Sequence, residues 1–235
     1  MVIEHILEED TYRLNKFMLK RNKMRIKNMY ERNLYSNGFI IKRIDSKWGQ
    51  NYIENKHGHI YKGIEGDTWP INMEDEEIEL QERNYLYDYV YHNIEVKAFD
   101  QNVAAICNDL NFLNRYLKAC KKANFKVCIL FCETEKKQPV CKRDLKSNDK
   151  YKFIGYDYAY ADPDYYSCIF HDIPRVKELS QQKLNENGLF DTLEGICQFI
   201  EIREQLKQIN PILKLEIGNF TIYKLWEYIG DFQLE

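Results

Sequence analysis

The stretch 151–173, YKFIGYDYAYADPDYYSCIFHDI, constrains the fold more than any other part of the chain. Two runs rich in tyrosine, phenylalanine and isoleucine flank Ala161-Asp162-Pro163-Asp164. Aromatic and β-branched residues favour a pleated, half-buried surface, and an Asp-Pro-Asp tip favours a turn. The pattern predicts a β-hairpin over 152–173. A four-residue loop at 161–164 would set Tyr160 opposite Tyr165, Tyr158 opposite Ser167 and Asp157 opposite Cys168. Period-two alternation then gives one face of Tyr156, Tyr158, Tyr160, Tyr165, Ser167, Ile169 and His171. The other face holds Phe153, Gly155, Asp157, Tyr166, Cys168 and Phe170, and its apolar character makes it the core side.

That assignment buries Asp157. A carboxylate on an apolar face is tolerated when backbone N–H groups or a hydroxyl satisfy it, so Asp157 reads as a structural polar residue rather than an acid or base catalyst. The tyrosine face and the acidic tip read as a partner-binding surface made of Tyr156, Tyr158, Tyr160, Asp162, Asp164 and Tyr165. Tyrosine supplies rigid amphipathic contact area, and the two aspartates suit a basic partner.

The hairpin needs a sheet and helices to cover it. The best helical pattern is 102–124, where Val103, Ile106, Leu110, Leu113, Leu117 and Cys120 step by three and four. The apolar run 126–133 reads as a buried strand, and 38–44 as another. Tyr85, Tyr87, Tyr89 and Tyr91 recur at period two, which predicts a strand over about 85–97. Pro174 opens a helical segment ending at Gly188, and Asp191 with Glu194 forms a capping box for a helix over 192–209. Residues 212–230 read as two short strands turning at Gly218-Asn219, or as a strand and a short helix. The expected class is α+β: a mostly antiparallel sheet with flanking helices and a central hairpin at 152–173. Residues 1–95 are expected to form an N-terminal helix-plus-strand region, either separate or part of the same domain, and 96–235 the α+β domain around the hairpin.

Composition narrows the function classes. The chain has 235 residues with 44% hydrophobic and 30% charged, enough to bury a core, and a net charge of −3. No window approaches a membrane span and the acidic start is no secretory signal, so no membrane partner is expected. Seven cysteines without framework spacing point to reduced thiols and a cytoplasmic protein. His57-Gly58-His59 and the Cys128/Cys132/Cys141 set lack the spacing and further ligands of a zinc site, so no metal or cofactor is expected. No P-loop, dinucleotide-binding glycine motif, His-Glu-x-x-His or nucleophile elbow occurs, and no catalytic residue is assigned.

Charge is segregated. Residues 11–35 read as a helix ended by Ser36-Asn37-Gly38, with eight Lys/Arg between 13 and 32 against one acid, Glu31. Residues 65–82 carry eight acids and no Lys or Arg. The basic helix either faces that acidic segment or grips phosphate. The second possibility defines an alternative function: a nucleic-acid-binding or nuclease-like protein of a phage or defence system, with Asp157, Asp172 or Glu133 holding a metal.

Ile154-Gly155-Tyr156-Asp157, Tyr165-Tyr166-Ser167, the run Lys183-Leu184-Asn185-Glu186-Asn187-Gly188-Leu189-Phe190 and the helix ending Glu201-Ile202-Arg203 together resemble bacterial immunity or immunity-like proteins of polymorphic toxin systems. The resemblance covers about 102–209. It implies a non-enzymatic cytoplasmic inhibitor that binds and neutralises a cognate toxin, and it assigns no individual residue a role.

Overall fold

The structure is a computed structural model. It describes residues 34–44, 68–95, 105–135, 149–162, 164–173, 175–213, 215–218 and 220–230. The basic segment 13–32, His57-Gly58-His59 and Cys141 lie outside the described residues, and Leu34–Glu235 is one compact unit.

The expected α+β class is what the chain adopts. Five strands, β1 (Tyr35–Arg43), β2 (Val127–Thr134), β3 (Tyr151–Asp162), β4 (Asp164–Ser167) and β5 (Thr221–Tyr228), form one sheet in the order β1-β2-β5-β3-β4. Every adjacent pair is antiparallel. Among the described residues four α-helices accompany it: α1 (Leu80–Tyr89), α2 (Leu110–Lys122), α3 (Cys168–Asp172) and α4 (Leu193–Ile209). The hairpin β3–β4 forms one edge of the sheet. The middle position belongs to β5, near the end of the sequence.

Both faces of the sheet are packed, which is why its strands are apolar almost throughout. One face joins Phe39, Ile41, Ile129, Phe131, Tyr151 and Trp226 to residues of α1 and α2. The opposite face joins Ile40, Leu130, Cys132, Leu225 and Tyr223 to Phe170 and Leu189. The described residues between 35 and 95 contribute to this same sheet and core through β1, whose Phe39 and Ile41 pack in the first cluster. The outer edge of β1 is covered rather than open: Phe39 exchanges both backbone hydrogen bonds with Cys107, and Trp69 N donates to Ile41 O. At Gly38, φ is +135° and an added Cβ would lie 2.4 Å from the Cys107 carbonyl oxygen. Ser36-Asn37-Gly38 is therefore part of β1 and not the end of a helix, because glycine serves a close strand approach there.

Local chemistry corrects several boundaries. Helix α2 starts at Leu110, not near 102, because the Asp109 side chain caps it by accepting from Asn111 N and Phe112 N. Asn124, at φ 55°, ends it, with Phe125 N donating back to Cys120 O. Of the strand expected over 85–97, residues 85–95 are helical, α1 continuing into a π-helical turn, Val90–Glu95, while 96–97 lie outside the described residues. Leu86, Val90 and Ile94 are the buried positions, and their spacing of four fits a wide helical turn while the period-two tyrosines do not mark an inner face.

The segment 175–188 forms turns instead of a helix; Leu179 N bonds to Val176 O and Gln182 N to Leu179 O. The cap of α4 is Thr192, whose hydroxyl accepts from Gly195 N at 3.0 Å, while Asp191 instead accepts from Asn185. The second hairpin arm stops at Ser167 because α3 follows immediately. Its five residues are all buried, and the Cys168 thiol donates to Asp172 Oδ2, one helical turn away, at 2.9 Å. No helix among the described residues is long and apolar enough to cross a membrane.

Candidate partner-binding site

The site is set by a β-bulge. On β3, Phe153 pairs with Trp226 and Gly155 with Leu225, so Ile154 is an extra residue that shifts the register. Its carbonyl is turned out of the ladder and accepts from Asn185 Nδ2 at 2.9 Å and Asn187 Nδ2 at 3.3 Å. The loop holding these amides is closed by Asn185 Oδ1, which accepts from Asn187 N and Leu189 N. Two residues further along β3, Tyr156 exchanges both backbone hydrogen bonds with Phe190. Gly155, at φ +139°, lies so close to this loop that a Cβ would sit 2.6 Å from Leu189 Cβ. The Ile154–Tyr156 and Asn185–Phe190 motifs, distant in sequence, are thus one structural unit. A cleft of about 260 Å³ runs beside it, with Lys152, Glu186 and Asp191 among its walls.

The hairpin register differs by one residue from the expected one. Ala159 pairs with Ser167, Tyr160 with Tyr166, Ala161 with Tyr165 and Asp162 with Asp164. The strands pair as far as Asp162 and Asp164, so the connection is shorter than four residues and the partners move by one. Ser167 therefore comes onto the Asp157 side, and its hydroxyl donates to Asp157 Oδ1 at 2.7 Å. Asp157 is fully buried and also accepts from Tyr158 N at 2.7 Å. Tyr160, Asp162, Asp164 and Tyr165 take part in the strands as given by this register; their side chains lie outside the described residues.

Tyr156 is half-buried and stands opposite Lys224 on β5; Tyr158 is half-buried opposite Ile222, with its ring 5.2 Å from Phe220. Around Tyr156 the sheet gathers residues that sequence reasoning did not place there. Phe153 meets the Tyr156 and Trp226 rings edge-on, each at 5.3 Å between centroids. Lys224 Nζ lies 4.7 Å above the Trp226 ring and 2.9 Å from Glu133 Oε2, and Trp226 Nε1 donates to the same oxygen at 2.9 Å. Burial, followed by the nearby Glu133 charge, raises the Tyr156 pKa above the ordinary tyrosine value, so its hydroxyl remains a neutral donor. Only the pairing of β5 between β2 and β3 brings Glu133, Lys224 and Trp226 to Tyr156. The alternation of 220–228 signals a strand but not its neighbours.

Three carboxylates considered as metal ligands hold separate partners. Asp157 bonds Ser167, and Glu133 bonds Lys224 and Trp226. Asp172 accepts from Arg203 Nε at 2.5 Å, from the Cys168 thiol and from Glu216 N at 2.8 Å. Arg203 also donates to the Glu216 carbonyl, so this buried pair ties α3, α4 and the approach to β5 together. Burial, reinforced by Asp172, raises the Cys168 pKa well above the usual thiol value and keeps it a protonated, weakly nucleophilic thiol. No group of three His, Cys, Asp or Glu among the described residues is arranged to hold a metal ion.

The described acids of 65–82 include two that pair with α2: Glu79 with Lys122 at 3.0 Å, and Glu82 with both Nε and Nη2 of Arg115. Comparison with protein-family models, with curated proteins and with solved structures finds no match to this chain.

Proposed function

We propose that the chain is a non-enzymatic protein-binding module, an inhibitor of the immunity type, whose partner docks on the Phe153–Tyr156–Lys224 face of β3 and β5. The observation that carries this reading is the makeup of that face. Partly exposed phenylalanine and tyrosine rings are held in fixed edge-on contacts over a buried tryptophan, with a half-buried, already paired lysine at the centre. Rings locked in this way lose little freedom on binding, and aromatic residues with desolvated charges are the usual energetic centres of protein interfaces. The resemblance to immunity proteins supports the same reading. Among the residues carrying it are those of the bulge and its loop, which fix the face beside them.

The test uses the product of the gene adjacent to this one, co-expressed and purified with the chain. The expected result is a tight complex that Tyr156→Ala weakens about thirtyfold, corresponding to a hot-spot contribution of about 2 kcal/mol. Unchanged affinity in the Tyr156→Ala and Lys224→Glu variants would remove this face from the interface.

A further inference from the structure

A second surface, on a different element, has a composition that the sheet face does not explain. Helix α1 and its π-helical turn are anchored on their inner side by Leu86, Val90 and Ile94. Tyr89 stacks on Phe112 at 3.9 Å and donates to Asp109 Oδ2 at 2.8 Å, while Tyr85 lies under the Arg115 guanidinium. A flank next to this inner side carries Leu80, Tyr87 and Tyr91, which are 60%, 41% and 51% exposed. Positions 80, 87 and 91 follow one helical face, so these apolar groups form a stripe rather than scattered singletons. A π-helical turn is uncommon in folded chains and concentrates at functional sites, which is a further reason to look at this face.

The charge around the stripe is mostly acidic, the basic exception being the partly buried Arg83, three residues after Leu80 and four before Tyr87. Glu79 and Glu82 are neutralised by α2. The side chains of the exposed Glu76, Glu77 and Asp88 make no ion pair with any described residue. A membrane surface, commonly anionic, would be repelled by such a rim, and so would nucleic acid. A cationic protein segment would gain both contacts: its lysines or arginines against the carboxylates, and its apolar side chains or lysine stems along the tyrosines.

We infer that the outer face of α1 and its π-helical turn is a docking surface for a lysine- and arginine-rich segment of another protein, with Leu80, Tyr87 and Tyr91 as the apolar contacts and Glu76, Glu77 and Asp88 as the charged rim. It stands independently of the sheet-face interface, since no residue is shared.

A fluorescein-labelled peptide alternating lysine with leucine and alanine serves as the probe, followed by fluorescence anisotropy at low and physiological salt. The full chain binds it saturably at one site. The double variant Tyr87→Ala/Tyr91→Ala, which leaves net charge unchanged, weakens binding at least tenfold, and Glu76→Gln/Glu77→Gln does the same. Asp149→Asn/Glu178→Gln removes two charges from other exposed positions and leaves affinity within about twofold. All six substituted residues are exposed, and thermal melts verify that the variants fold. Wild-type affinity in the tyrosine variant, or an equal loss in the Asp149/Glu178 control, overturns the inference, because binding would then reflect net charge alone. Phe153→Ala/Tyr156→Ala leaves this peptide's affinity unchanged, so failure of one surface is distinguishable from failure of the other.

Discussion

Replacing Gly155 by alanine tests the joint between β3 and the Asn185 loop, and the size of the effect follows from the structure. Two penalties apply. At φ +139° an L-residue adopts a conformation it rarely visits, at about 1–2 kcal/mol. The new methyl group would meet Leu189 Cβ at 2.6 Å, the Phe190 carbonyl oxygen at 3.0 Å and Asn185 Nδ2 at 3.1 Å. Two of these are backbone or Cβ atoms that cannot rotate away, so the loop must shift, at an overpacking cost of about 1–3 kcal/mol. Gly155→Ala should thus destabilise the protein by about 2–5 kcal/mol, a large share of the roughly 5–15 kcal/mol typical of a folded domain. For a chain of this size the melting temperature should fall by about 4–20 °C. Urea unfolding with an unchanged slope gives the free energy directly. Hydrogen exchange should also quicken at the Tyr156 and Phe190 amides, which bond each other across the joint at 2.8 and 3.0 Å. A loss below about 1 kcal/mol, or unchanged exchange at those two amides, would refute the close-packed joint.

Three further outcomes follow. Asp172→Ala or Arg203→Met alone should cost about 3–5 kcal/mol, because each removes the closest charge partner of a buried ion. The double variant should lose clearly less than the sum in a urea double-mutant cycle, and strict additivity would show the pair to be uncoupled. Arg83→Met should stabilise by about 1–2 kcal/mol, since Nε and Nη1 of Arg83 are buried without a hydrogen-bond partner; a lowered melting temperature would contradict this. Asp109 gives a pH signature. Burial alone would raise its pKa, but the Phe112 N–H, the Tyr89 hydroxyl and the Asn111 N–H together hold it below the usual carboxylate value. A lowered folded-state pKa stabilises above the unfolded value near about 4, and the benefit disappears as pH falls through the folded value. Asp109→Ala should therefore cost about 1 kcal/mol at neutral pH, with the gap to wild type narrowing below about pH 4 in urea titrations. A gap independent of pH would show the carboxylate to be irrelevant.

The elements most legible in the sequence are those whose signal is local. The apolar run of β2, the alternation of β3 with its Pro163 tip, and the stripe along α4 each specify an element within a dozen or so residues. What could not be read is non-local or depends on single contacts. The Tyr85–Tyr91 repeat mimics a strand because alternate tyrosines carry no information about which side is buried; the i, i+4 series Leu86, Val90, Ile94 does, and it describes a helix. The second arm of the hairpin ends early because the Cys168–Asp172 contact and the Arg203 guanidinium favour a helical turn, and Arg203 lies far along the chain. The position of β5 between β2 and β3 is set by long-range pairing. For the site, Tyr156 and Tyr158 were visible as strand tyrosines, whereas Glu133, Lys224 and Trp226 become neighbours only once β5 is inserted.

The central claim, that this chain acts by binding another protein through the β3–β5 face, is tested most directly by titrating the purified adjacent-gene product into wild type and into Phe153→Ala/Tyr156→Ala by calorimetry. The account predicts saturable one-to-one binding to wild type and at least a hundredfold loss in the double variant, whose fold is verified by its melting curve. Equal affinity for both proteins, or no binding to wild type accompanied by salt-sensitive binding of nucleic acid that Lys20→Ala/Arg21→Ala/Lys23→Ala abolishes, would contradict it.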